Sequence, residues 1–295
     1  MRIAIFSIII INFSIMIVSC SSLKNVSVVT PTIEPLKQIE NDLTAQLSCG
    51  ARTPQSPCHT EVQQYIIAQL KQNHWQVENQ NFTYNGHPGV NIIGRFGIGN
   101  SPIIIGAHYD TRLFADQDPN PAKRSSPVPG ANDGASGVAV LLDLARKIPL
   151  TLSPQKTAIW LVFFDLEDDG NFQSWDWILG STAFVEQLSI QPKAAVIVDM
   201  VGDKDLHIYY EYNSNGALRQ QIWAVAQRLG YENVFIPQIK YNMLDDHTPF
   251  LMQGIPAVDI IDFDYPFWHT TEDTLDKISP QSIQIVSQTL LEWLK

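Results

Sequence analysis

Three short stretches carry residues able to bind a metal ion and move protons: PGANDGASG around Asp133, FFDLEDDG around Glu167 and Asp168, and FWHTTED around His269. Asp133, Asp168 and His269 would together give a cation three protein ligands and leave one position open, the arrangement of a catalytic zinc site. Oxygen ligands alone would suit magnesium or calcium, and the imidazole tips the choice to zinc. Glu167 and Asp168 are neighbours, so one carboxylate can bind metal while the other faces a substrate as a base. Each residue also has a plainer reading. Asp133 could merely cap a helix, the acidic run from Asp165 to Asp169 could be a solvated turn, and a histidine beside aromatics is often a hydrogen-bonded core residue. It is the three together that favour the metal site.

Such residues need a frame that brings them to one place. Apolar runs of strand length occur at 90–96, 102–110, 157–165, 194–202 and 255–262. Their continuous Ile/Val character suits strands buried on both faces. Helix-like segments at 61–73, 136–147, 181–188, 215–229 and 281–294 alternate with them. The pattern predicts an α/β fold, a three-layer αβα sandwich around a mixed, mainly parallel β-sheet. Residues 75–84 and 90–96, joined through Gly86, Pro88 and Gly89, predict an edge hairpin. In open α/β sheets ligands bind beyond the carboxyl ends of the strands. His108 and Asp110 end one strand, Glu167 and Asp168 follow another, Asp199 ends a third and His269 follows a fourth. All should converge on one sheet edge.

The whole chain bounds the function further. Its 295 residues and 45% hydrophobic content can fill one substantial core. A formal charge of −11, from 19 basic against 30 acidic residues, disfavours nucleic acid as a partner. Arg2 followed by IAIFSIIIINFSIMIV reads as a secretory signal, with a plain membrane anchor as the alternative. Its end, Ile17-Val18-Ser19-Cys20, resembles a bacterial lipobox, which implies a signal peptide over 1–19 and a lipid on Cys20. Ser21 after the cysteine favours outer-membrane sorting, facing the periplasm. Residues 20–33 read as a tether and 34–295 as one catalytic domain. Cys49 and Cys58, in SCGARTPQSPCH, are either a disulfide closed across a Pro-rich loop or two free thiols.

In order along the chain, GAHYD, PGANDGASG, FFDLEDDG, WILGS, VDMVGD, DDHTPFL and FWHTTED resemble the glutaminyl cyclase branch of the zinc aminopeptidase superfamily, over roughly residue 50 to the C-terminus. The segments most particular to that branch are Trp175 and Trp177 before Leu179-Gly180-Ser181, the DDHTPF run at Asp245, and Trp268 before His269. Glutaminyl cyclases convert the N-terminal glutamine of a peptide to pyroglutamate and release ammonia. The resemblance implies one zinc on Asp133, Asp168 and His269, Glu167 as the proton carrier, and Asp199 and Asp245 as a carboxylate relay holding the α-amino group. It also implies a pocket walled by Trp268, Phe267, Trp175 and Trp177, and a peptide with N-terminal Gln as substrate. Many family members have Glu-Glu where this chain has Glu167-Asp168, and Leu244 stands where animal relatives often carry a polar residue. Of oligomeric states a monomer is favoured.

Two other readings remain. In a two-zinc aminopeptidase, His108, Asp133, Asp168, Asp199 and His269 would all be ligands, Asp133 would bridge the ions and Glu167 would activate water. In a non-catalytic lipoprotein the same fold would only bind peptides. The tryptophans and the DDHTPF run favour the cyclase.

Overall fold

The computed structural model describes residues 35–84, 86–172 and 175–295. The expected signal, Cys20 and the tether lie outside the described residues. The chain opens with helices α1 (Pro35–Leu47) and α2 (Pro57–Gln72), then strands β1 (Gln76–Tyr84), β2 (His87–Phe96) and β3 (Ile103–His108). Next come α3 (Ala135–Thr151), β4 (Ile159–Phe164), α4 (Leu179–Glu186) and β5 (Ala194–Asp199). The last part runs β6 (Ile208–Glu211), α5 (Gly216–Arg228), β7 (Phe235–Tyr241), α6 (Thr248–Met252), β8 (Ala257–Ile261) and α7 (Pro280–Trp293).

Six strands form the central sheet in the order β1-β2-β4-β3-β5-β8. β4, β3, β5 and β8 run parallel, while β2 pairs antiparallel with both β4 and β1. The expected mixed, mainly parallel sheet with an edge hairpin is therefore present. Successive side chains of a strand face opposite layers. Ile105, Leu161, Phe163, Val196, Val198 and Ile260 pack against α1, α2, α3 and α7. Ile104, Val162, Phe164, Ala195 and Ile197 pack on the other side against Phe184 and Val185 of α4 and Phe250 of α6. With both faces covered, the parallel strands need apolar residues at every position, which is why they read as unbroken apolar runs.

Local chemistry sets the helix starts. Ser56 accepts from the His59 N–H and Pro57 fills the first turn of α2; Ser279 and Pro280 do the same for α7, with Gln281 as donor. α3 outruns its expected end at 147 and continues through Pro149 to Thr151, because a proline so near the end disturbs few helical hydrogen bonds. Four elements escaped the sequence reading. α1 has a weak apolar stripe on Ile39 and Leu43, α6 is five residues long, and β6 and β7 form a separate parallel pair. β7 carries Pro237 and is mostly exposed, so it lacks a strand's usual apolar content.

The connection leaving β3 leads to β4, and the one leaving β5 leads to β8 on the opposite side. The carboxyl ends of β3 and β5 thus flank a topological switch point, where a crevice opens. At the start of α2, Cys49 and Cys58 are joined in a disulfide across nine positions of sequence, which decides between the two readings of these cysteines. Closing so short a loop restricts the unfolded chain by about 2–3 kcal/mol. Replacing both with serine should lower the denaturant midpoint accordingly in equilibrium unfolding; an unchanged midpoint would show that the crosslink contributes nothing.

Candidate active site

The crevice is built from sharp turns at the strand ends. Leu166 follows β4 at φ 56°, Met200 follows β5 at φ 46°, and His269 has φ 55°. Such left-handed conformations cost a non-glycine residue of order 1–2 kcal/mol, and each adjoins or is a site residue. Surrounding bonds hold them: Asp165 accepts from the N–H groups of Val90 and Leu166 and meets His59 Nε2 at 2.7 Å. Asp110, just beyond β3, accepts from the backbone N–H groups of Glu167 and Asp168, both at 3.2 Å. One buried carboxylate thereby orients the two that follow β4.

Asp133 sits in the loop entering α3. Asp273 accepts from the backbone N–H groups of Asn132 and Asp133 and from the Tyr265 hydroxyl. Arg52, fully buried, donates to the carbonyls of Tyr109, Pro129 and Gly130. Gly134 must be glycine, because a Cβ there would lie 2.5 Å from His108 Nε2 and 2.6 Å from its carbonyl oxygen. The loop is pinned from both sides against the end of β3.

Two ligand groups result, and they share Asp133. His269 Nε2 lies 2.9 Å from Asp168 Oδ1 and 3.6 Å from Asp133 Oδ2. His108 Nε2 lies 3.0 Å from Asp133 Oδ1 and 3.2 Å from Asp199 Oδ1. In each set the ligand atoms are within 4.8 Å of one another. Tetrahedral zinc, with bonds of about 2 Å, sets its ligands roughly 3.3 Å apart, so both groups fit. The buried Asp168 Oδ2 has no hydrogen-bond partner, an acceptor that a cation would satisfy. His269 Nδ1 is 3.5 Å from Asp116, which Arg112 grips through two nitrogens at 2.8 and 3.0 Å. A carboxylate on the far side of a ligating imidazole is common at metal centres, although Nδ1 makes no hydrogen bond to Asp116 here.

The electrostatics also call for a cation. Burial disfavours charge on His269, yet Asp168, Asp116 and Asp133 outweigh it and hold the imidazole up to about 9. Burial pushes Asp199 up to about 7, against the pull of His108 and with Asp245 and Asp133 adding to the rise. Burial also carries Glu167 well above the usual carboxylate range; His108 opposes this, and Asp168, Asp246 and Asp245 reinforce it. Arg52 is lowered by burial to about 10 despite Asp273, Asp110, Asp133 and Asp168, so it remains charged beneath them at neutral pH.

Asp133, Glu167, Asp168, Asp199, Asp245 and His269 all line one pocket of about 170 Å3. Trp177 and Trp268 line it too and flank His269, with ring centroids 6.1 and 3.8 Å from the imidazole. Trp177 is seated by Gly170, where a Cβ would stand 2.2 Å from the indole, and by the Arg112 guanidinium 4.7 Å from its ring. Met200, Met243, Leu244, Ile261 and Phe263 complete the wall. Two expected wall residues stand elsewhere. Trp175 packs at a tilt on His87 and borders a separate cleft with Phe172, although Asp176 alone separates it in sequence from Trp177. Phe267 packs on Tyr265 beneath Lys277. His108 lies behind the pocket wall, against Asp133 and Asp199. The sequence reading passed over Arg52, Asp116 and Asp273; Asp273 stood within the FWHTTED stretch, whereas nothing in the pattern around Arg52 signals its burial.

Fold and site together define a zinc-exopeptidase-like α/β protein. The model of Peptidase family M28 matches residues 91–294, and the chain belongs to that family, with its glutaminyl cyclases. It is 31% identical to the glutaminyl cyclase of Porphyromonas gingivalis, with a TM-score of 0.83 over 88% of this chain and 97% of that one. A Zn-dependent exopeptidase from Parabacteroides distasonis is 30% identical, with a TM-score of 0.80 over 87% and 96%. The glutaminyl-peptide cyclotransferase-like protein of Bos taurus is 24% identical, over 82% of this chain and 71% of its own length.

Replacing Arg52 with methionine would take its donors from the Tyr109, Pro129 and Gly130 carbonyls, leaving Gly130 only the Ala135 N–H at 3.4 Å, and would remove one buried positive charge from beneath the carboxylates. A loss on the order of 3–5 kcal/mol is expected in equilibrium unfolding; a change below about 1 kcal/mol would show that the cluster is balanced from elsewhere.

Proposed function

We propose that this chain cyclises the N-terminal glutamine of peptides to pyroglutamate with release of ammonia, as a zinc-dependent glutaminyl-peptide cyclotransferase. One observation carries the reading: three carboxylates unused by the ligand group Asp133, Asp168 and His269, namely Glu167, Asp199 and Asp245, face the same small pocket. They surround the place where the substrate's α-amino group must give up a proton and fold back on its own side chain. When bound to the ligand group, zinc supplies a Lewis acid that draws electrons from the side-chain carbonyl oxygen.

The α-amino nitrogen attacks Cδ of the same residue, so proximity comes largely from the substrate and the pocket must enforce the folded-back shape. Glu167 accepts a proton from the amine as the new C–N bond forms. It returns the proton to the amide nitrogen as the Cδ–Nε bond breaks and ammonia leaves. A carboxylate whose proton affinity is raised by burial suits this role. Asp199 and Asp245 hold the amino group, while Trp177, Trp268 and the apolar wall exclude water.

A second reading has its own support. His108, Asp133 and Asp199 form a further ligand group, which with the first would hold two ions, as in an aminopeptidase. Asp199 cannot both ligate that ion and remain free for the amine, so metal content separates the readings. One zinc per chain, with ammonia released from a Gln-initiated peptide and abolished by a chelator, is expected. Two ions with release of free amino acid would replace cyclisation by hydrolysis. Glu167→Gln should keep its zinc yet lose about two or more orders of magnitude in kcat, and His269→Ala should lose stoichiometric zinc. Near-normal turnover in the first variant or full zinc in the second would remove that residue from its role.

The N-terminal sequence supports export and a lipid on Cys20 that holds the protein at the outer membrane of a bacterial envelope. Mass spectrometry of the mature protein should find an acylated Cys20 as first residue; an intact Met1 would overturn this.

A further inference from the structure

The pocket does not end at its wall. Phe263 and Trp268 line it, with ring centroids 4.9 Å apart. From Phe263 the series continues to Tyr241 at 5.6 Å and on to Tyr209 at 6.4 Å, each contact edge-to-face. All four side chains are only partly buried. Tyr209 and Tyr241 belong to the separate β6–β7 pair, whose register shifts between Tyr209 and Tyr210. Tyr210 packs on Trp223 in the core, whereas Tyr209 meets Tyr241 and Lys240. The Lys240 ammonium lies 4.2 Å from the Tyr209 ring centre and is neutralised by Asp264 at 2.6 Å, so the outer end carries no net charge.

We propose that Phe263, Tyr241 and Tyr209 form an extended binding track for the part of a peptide substrate that follows its first two residues. The track is continuous with the catalytic pocket, and ring steps of 5.6 and 6.4 Å come near the repeat of alternate side chains along an extended peptide, about 6.6 Å. Partly exposed aromatic rings give large contact area at little cost in conformational entropy, and their mixed polarity favours peptides without strong selection on side chain. A terminal residue held in a pocket of about 170 Å3 leaves the rest of the peptide outside, where this surface adjoins it.

The proposal rests on the cyclase reading, and its test keeps the two apart. Wild type and the Tyr209→Ala/Tyr241→Ala variant are compared on Gln-initiated peptides of two to five residues sharing their first two positions. The wild-type kcat/KM should rise about tenfold from dipeptide to pentapeptide, the equivalent of one or two aromatic contacts. In the variant the rise should vanish with dipeptide turnover unchanged, which also shows that the fold is intact. A flat wild-type profile, or an undiminished rise in the variant, overturns the track. Calorimetric binding of the same peptides to Glu167→Gln, alone and combined with the tyrosine changes, reads the track without turnover. Equal pentapeptide affinity in both refutes it whether or not the dipeptide is cyclised.

Discussion

The structure depends on how it tolerates negative charge out of water. Asp110, Asp133, Glu167, Asp168, Asp199, Asp245 and Asp273 are all buried around one crevice, where unpaired carboxylates are costly. Arg52 lies beneath them, His108 and His269 lie among them, and a zinc ion on Asp133, Asp168 and His269 would supply the largest remaining countercharge. Much of the surrounding architecture serves this balance. Asp273 and Arg52 pin the Asp133 loop, Asp110 orients the turn after β4, and the Arg112–Asp116 pair backs His269.

That arrangement separates two uses of the same residue type. Asp168 is aimed at His269 and has an oxygen awaiting a cation. Its neighbour Glu167 is driven by burial to hold a proton more tightly, which suits a group that must take one up and give it back. Asp199 is the ambiguous member, since it touches His108 and also faces the pocket. The tryptophans on either side of His269 and the buried Asp245 bound a pocket of about 170 Å3.

Much of this was legible in the sequence for physical reasons. Parallel strands covered on both faces must be apolar throughout, so β3, β4, β5 and β8 announced themselves, and the crevice rule placed His108, Glu167, Asp168, Asp199 and His269 at one edge. The motif order carried the family. Less legible were elements whose residues answer to distant partners: β7 with Pro237 and little burial, the five-residue α6, and α1 with its thin apolar stripe.

The sequence by itself determined the α/β class and singled out the carboxylates and histidines that the fold gathers at one sheet edge, because these rest on residue type and on periodicity along the chain. Only the tertiary structure decided that Cys49 and Cys58 pair, that Trp177 and Trp268 wall the pocket while Trp175 and Phe267 do not, and that Arg52 and Asp273 brace the site. Adjacent or near-adjacent residues part company at a turn, and a brace far away in sequence leaves no local pattern. Such facts depend on where the backbone bends and what it meets there, which no count of spacing along the chain contains.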